Sequence, residues 1–218
     1  MKLSFRLLIV FVAFIAQAAV ATPALAAGPT ILVFGDSLSA AYRMPQEQGW
    51  VSLLQQRLKT EGFPYQVVNA SVSGETTSGG LSRLPITLRQ HRPDIVLLEL
   101  GANDGLRGLP LAQMRKNLET MIKTSKDFNA KVVLLGIKIP PNYGPTYTRE
   151  FSQSFKELAA QYDLPLVDFF LDGVAGKPQF TLDDGLHPTS SAQPYILNNI
   201  WPVLRPELDT KLPSAAAR

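Results

Sequence analysis

Apolar positions along the chain fall into two alternating patterns. Ile31-Leu32-Val33-Phe34 is a short unbroken apolar run that stops at Gly35-Asp36-Ser37-Leu38-Ser39. Such a run reads as a strand buried on both faces. From Gly49 to Thr60 the apolar residues Trp50, Leu53, Leu54 and Leu58 recur at helical spacing, closed by Glu61-Gly62. Tyr65 to Ala70 predicts a second strand. Gly79 to Gln90 predicts a helix that Pro85 must kink or restart. Asp94 to Leu100 carries another continuous run, Ile95-Val96-Leu97-Leu98, after a turn at Arg92-Pro93. Leu111 to Phe128 predicts a helix with Leu111, Met114, Leu118, Met121 and Ile122 on one face. A strand over Lys131 to Ile137, a helix over Thr148 to Tyr162, a short strand over Leu166 to Asp168 and a closing helix over Ser190 to Leu204 complete the pattern. Pro206 to Arg218, rich in Ala, Pro and Ser, predicts a frayed tail.

Continuous apolar strands alternating with helices predict an α/β fold, with a five-stranded parallel sheet in a three-layer sandwich. No internal repeat or long linker divides the chain, so residues 27–218 are expected to form one domain. Ligands of open parallel sheets gather at the carboxyl edge. The loops after the strands are therefore where chemistry is expected.

The amino-terminal segment stands apart from this pattern. Lys2 and Arg6 form a basic region, Leu7 to Val20 is apolar apart from Gln17, and Ala24-Leu25-Ala26 is a small-x-small cleavage pattern. Residues 1–26 read as a secretory signal peptide cut after Ala26, which predicts a periplasmic or secreted protein. The leader also changes the charge. The chain is +3 from 21 basic and 18 acidic residues, and losing Lys2 and Arg6 leaves 19 against 18, a net +1. No basic stripe suggests nucleic acid. The absence of cysteine excludes disulfides, thiolate metal sites and a cysteine nucleophile. With two histidines and no G-x-G-x-x-G or Walker loop, nothing asks for a metal, nucleotide or flavin cofactor.

Four post-strand loops carry polar residues suited to acyl chemistry. Ser37 follows the first strand at a sharp turn that Gly35 permits, with a helix amino terminus expected behind it to offer N–H groups. Read alone, it is equally an N-cap serine. This is not the Gly-x-Ser-x-Gly elbow of α/β-hydrolases. After the second strand, Gly74 in Ser73-Gly74-Glu75 can aim a backbone N–H at the same point. After the third, Asn103 in Gly101-Ala102-Asn103-Asp104-Gly105 offers a neutral amide that can donate to an oxyanion. Near the carboxyl end, Asp183-Asp184-Gly185-Leu186-His187-Pro188 places a carboxylate one turn from an imidazole, which fixes its tautomer and leaves the other nitrogen free as a base. His91, before Arg92-Pro93, reads as a surface turn residue.

Gly35-Asp36-Ser37-Leu38-Ser39, Gly74, Gly101-x-Asn103-Asp104 and Asp184-x-x-His187-Pro188 resemble, in order, the four blocks of the GDSL or SGNH hydrolase family. The resemblance covers nearly all of the mature chain. It implies a flavodoxin-like sheet with strand order 2-1-3-4-5 and esterase or thioesterase activity. It implies Ser37 as nucleophile, His187 as base and Asp184 as its orienter, with Asp183 a rival. The oxyanion hole it implies is the N–H of Ser37, the N–H of Gly74 and the side-chain amide of Asn103. Ala41 and Ala102 stand where glycine is expected.

Substrate choice is less legible. Ile137 to Tyr147 reads as a long, stiff apolar loop beside the site, with Pro140, Pro141, Tyr143, Pro145 and Tyr147. Pro140 and Tyr143, with Leu106 and Leu109, are the expected walls of an acyl groove, and Leu111 is a further candidate. A small-molecule acyl ester or thioester is the expected partner of a monomer whose membrane contact is at most transient. The rival readings are a carbohydrate acetyl esterase, which would need a more polar groove, and a non-catalytic binding module.

Overall fold

The computed structural model describes residues 28–208. The leader read over residues 1–26 and the tail beyond Leu208 lie outside the described residues. β1 (Thr30–Gly35) sits inside a five-stranded sheet, flanked by β2 (Gln66–Asn69) and β3 (Ile95–Glu99), with β4 (Lys131–Leu135) and β5 (Leu166–Val167) beyond β3. The order is β2-β1-β3-β4-β5 and every pairing is parallel. This is the expected sheet. Ile31, Leu32, Val33 and Phe34 are wholly buried, as are Val96, Leu97 and Leu98 of β3, which is why these strands read as continuous apolar runs. Each such side chain contributes on the order of 1.5–3 kcal/mol by leaving water, so β1 is a firm base for the turn at its carboxyl end.

Helices cover both faces. α1 (Trp50–Thr60) packs on α6 (Gln193–Leu204), while α2 (Thr77–His91), α4 (Leu111–Asp127) and α5 (Pro145–Tyr162) form a second row. A one-turn helix, α3 (Ala102–Leu106), follows β3. Gly62, just past α1, has φ +78°, the left-handed value favoured after a helix end. The Thr76 side chain accepts from the Gly79 N–H and caps α2.

Four boundaries differ from those expected of the sequence, each for a local reason. Pro85 neither ends nor restarts α2, which runs through it from Thr77 to His91. α5 begins at Pro145, ahead of Thr148, because proline's fixed φ and missing N–H suit a first helical turn. The Ile137–Tyr147 loop is correspondingly shorter and contains a 3-10 turn over Pro141–Tyr143. The tail does not fray at Pro206: Arg205–Glu207 form a 3-10 turn and Leu208 is buried against the core.

Among the described residues no helix is long and apolar enough to cross a membrane.

Candidate active site

The parallel sheet brings the ends of β1 and β3 side by side, with Gly35 in register with Glu99. Gly35 is required here by close approach. A Cβ at that position would collide with Glu99 Oε2 and lie 2.9 Å from the Glu99 carbonyl oxygen. The expected helix behind Ser37 is absent. The chain instead makes a tight turn in which Ser39 and Ala40 donate their N–H groups to the Asp36 carbonyl at 3.2 and 3.0 Å. A single turn is enough, because the Trp50 indole N–H holds the Leu38 carbonyl at 3.2 Å from α1. Ala41 has φ +56°, a left-handed value that glycine adopts more readily, which is the physical reason glycine is expected there.

Ser37 Oγ lies 2.9 Å from His187 Nε2. His187 Nδ1 lies 2.8 Å from Asp184 Oδ2. With the ring proton on Nδ1, the imidazole donates to Asp184 and Nε2 accepts the Ser37 hydroxyl proton. Asp184 also accepts the backbone N–H groups of Leu186 and His187 on its other oxygen, both at 2.9 Å. Burial alone would raise this carboxyl, but the two backbone bonds and the His187 ring outweigh it and hold its pKa at about 2. Gly185, between them, has φ +73°, which lets the loop fold back within one turn. Asp183 points elsewhere: it pairs with Arg43 at 2.8 Å with its side chain 77% exposed. The Tyr42 ring lies against the His187 ring, 4.2 Å between centroids.

Asn103 Nδ2 donates to Asp36 Oδ2 at 3.0 Å. Asp104, beside it, accepts the N–H and the hydroxyl of Thr77 at 2.8 and 2.6 Å. That carboxylate ties the Asn103 turn to the start of α2, next to the Gly74 loop. Arg107 donates to the Gly74 carbonyl at 3.1 Å and adds a second tie. Gly74 has φ +80°. Among the described residues, neither the Ser37 nor the Gly74 backbone N–H donates to another group.

A cavity of about 490 Å³ opens at Ser37, Asn103 and His187. Its apolar wall includes Leu106 and Pro140, together with Ile137, Ile139, Pro141 and Leu186. The structure does not place Leu109 or Tyr143 on that wall. Leu109 is exposed, and the Tyr143 hydroxyl turns away to donate to the Leu106 carbonyl at 2.7 Å, while its ring packs on the core. Gly74 is at the same edge but is not a lining residue. Phe169, Leu171, Ala175 and Gly176, after β5, also line it, and no sequence motif marks them. The signal available was position alone, since this segment follows the carboxyl end of a parallel strand.

Residues 33–193 match the GDSL-like lipase/acylhydrolase family. The chain belongs to that family. Like the family, it is an ester or thioester hydrolase. It is 52% identical over 183 residues to esterase TesA of Pseudomonas aeruginosa, covering 84% of this chain and 91% of that protein. It is 44% identical over 181 residues to thioesterase 1/protease 1/lysophospholipase L1 of Escherichia coli K12, covering 83% and 86%. A crystal structure of TesA superposes with a TM-score of 0.81 at 52% identity, covering 82% of this chain and 99% of that one. The fold of this acylhydrolase is therefore that of its family, and the contacts among Ser37, Asn103, Asp184 and His187 are what its own residues bring to it.

Proposed function

We propose that this protein cleaves acyl esters and thioesters by two-step acyl transfer, with Ser37 as nucleophile, His187 as base and Asp184 as orienter. The observation that carries the reading is the unbroken contact chain from Asp184 through His187 to Ser37, at 2.8 and 2.9 Å, at the mouth of an apolar cavity. In the first step Ser37 Oγ bonds to the acyl carbon as its proton passes to Nε2. The carbonyl oxygen becomes an oxyanion, bound by the Ser37 and Gly74 N–H groups and the Asn103 amide. The intermediate collapses, His187 protonates the leaving alcohol or thiol, and the acyl group stays on Ser37. Water, deprotonated by His187, then attacks the acyl-enzyme, and the free acid leaves.

The cavity wall favours a hydrocarbon acyl chain over a sugar acetate. Leu106, Ile137, Ile139, Pro140 and Leu186 offer an acyl tail no hydrogen-bonding side chain, and Lys138, the one cation among the lining residues, has its Nζ over the Phe169 ring. Aryl esters, acyl-CoA and lysophospholipids share that chemistry. The leader directs the monomeric enzyme out of the cytoplasm, and it meets membranes only transiently through its substrate. The test is hydrolysis of p-nitrophenyl acetate, butyrate and octanoate. This reading predicts kcat/KM rising with chain length. A preference for acetate over octanoate would contradict the acyl-chain assignment and favour a carbohydrate acetyl esterase.

A further inference from the structure

Three buried carboxyl groups lie beneath the site outside the Asp184–His187–Ser37 chain. Asp36 and Glu99 are completely buried and Asp104 nearly so. Asp104 is fully occupied by Thr77. Asp36 and Glu99 are arranged differently. Asp36 Oδ1 accepts the Leu38 N–H at 3.0 Å, and Oδ2 accepts the Asn103 amide at 3.0 Å. Glu99 Oε2 accepts both the Asp36 N–H at 3.2 Å and the Ser39 hydroxyl at 2.7 Å. Glu99 Oε1 is buried with no hydrogen-bond partner. Among the described residues no Lys or Arg pairs with either carboxyl. Arg83 donates through Nε to Glu75 at 2.6 Å and through Nη1 to the Ala70 carbonyl at 3.2 Å, and lies over the Phe34 ring, while its Nη2 is buried with no hydrogen-bond partner.

We propose that Asp36 is a positioning residue that aims the Asn103 side-chain amide at the oxyanion, and that Glu99 beneath it is kept as a neutral acid. The first half rests on the reading of Asn103 as an oxyanion donor. An amide nitrogen carries two N–H groups in one plane. When Asp36 takes one, the plane is fixed and the other is left toward the cavity that Asn103 lines with Ser37. A preset donor costs no reorganisation when charge develops. The second half comes from solvation. Two adjacent buried carboxylates without a cation cannot both ionise cheaply, and the one with an unpartnered oxygen is the one that keeps its proton. Burial first, then the neighbouring Asp36, push Glu99 well above the ordinary carboxyl range. Burial pushes Asp36 up to about 7, with Asp104 and Glu75 adding to the rise and the Leu38 and Asn103 bonds opposing it.

The test is a double-mutant cycle on ester hydrolysis. Asp36→Ala is expected to lower kcat by about 10–100-fold with KM little changed, the usual cost of losing a group that orients a reacting one. Asn103→Ala is expected to lose on the order of 10²–10³-fold. The double variant should be no slower than Asn103→Ala alone, because Asp36 acts through that amide. A double loss equal to the product of the two single losses, or wild-type kcat in Asp36→Ala, would overturn the positioning role. If Asp36→Ala does not fold, Asp36→Leu takes its place, since a side chain of similar size with no acceptor cannot hold the Asn103 amide. Infrared spectroscopy reads the second half without any variant of Asp36. A protonated-carboxyl band should persist in the wild type above the range in which Asp36 titrates and vanish in Glu99→Gln. Its absence from the wild type would overturn the neutral acid. Phosphonylation of wild-type Ser37 separates the two levels: labelling with an additive cycle defeats only the Asp36 proposal, whereas no labelling defeats the acyl-transfer reading itself.

Discussion

Asp184 and Asp36 are the same side chain shifted in opposite directions within one site. Asp184 sits in a loop open to water, collects two backbone N–H groups and an imidazole, and is held at about 2. Asp36 sits at the end of β1 with no access to water and an acidic neighbour, and is raised to about 7. The first is a permanent charge suited to stabilising an imidazolium. The second is a geometric anchor whose ionisation is costly. The difference teaches that one side-chain type is shifted both ways in this site, by burial, by the number of donors and by the sign of the neighbouring charge.

The comparison can be broken most severely at the charged end. Ser37→Ala and His187→Ala are each expected to lower kcat by on the order of 10⁶-fold, since each removes the unit's chemistry. Steady-state ester hydrolysis with active-site titration measures this. Asp184→Asn should cost about 10⁴-fold through loss of the imidazole's tautomer and orientation. Asp183→Asn in the same assay should stay within a few-fold, because its pair with Arg43 is solvent-exposed. Equal losses at Asp183 and Asp184 would erase the distinction between the two.

Effects at the buried end are expected in stability. Gly35→Ala should destabilise by about 1–3 kcal/mol or more in denaturant melts, because the added methyl meets Glu99 side chain and backbone together. The smallest effect concerns pH. Asp36 and Glu99 have folded-state values raised above their ordinary 3.8 and 4.5, so the folded protein binds protons that the unfolded chain releases. Their contribution is fully present below about pH 4 and is lost as pH rises through about 7 for Asp36. Thermal melts across this window should fall with pH in the wild type, and fall less in an Asp36→Asn/Glu99→Gln double variant. An unchanged slope would show that the buried pair does not set it.

Much of this architecture was legible because a parallel sheet writes itself as apolar runs. Ile31–Phe34 and Ile95–Leu98 have no solvated face, so their sequence cannot alternate. The Ser37, Asn103 and Asp184–His187 positions were legible because each sits where a strand or loop meets the carboxyl edge. The choice of Asp184 over Asp183 was not settled by spacing. It turns on Gly185 and the two backbone N–H groups, which only the folded loop brings together. The cavity wall was half legible for a similar reason. Pro140 faces the cavity, but Tyr143, three residues on, is turned the other way by a 3-10 turn and by its bond to Leu106. Phe169–Gly176 carry no pattern that marks them, since loops that line a cavity obey shape rather than periodicity. Glu99 was hidden in plain view at the end of an apolar strand, where a buried acid leaves no periodic signature.

The central claim is that Ser37 is the attacking atom, and covalent labelling tests it most directly. Incubation with a fluorophosphonate and then peptide mass mapping should find a single phosphonyl adduct, on Ser37, absent from Ser37→Ala and slowed in His187→Ala. An adduct on another residue, or full ester hydrolysis by Ser37→Ala, would contradict it.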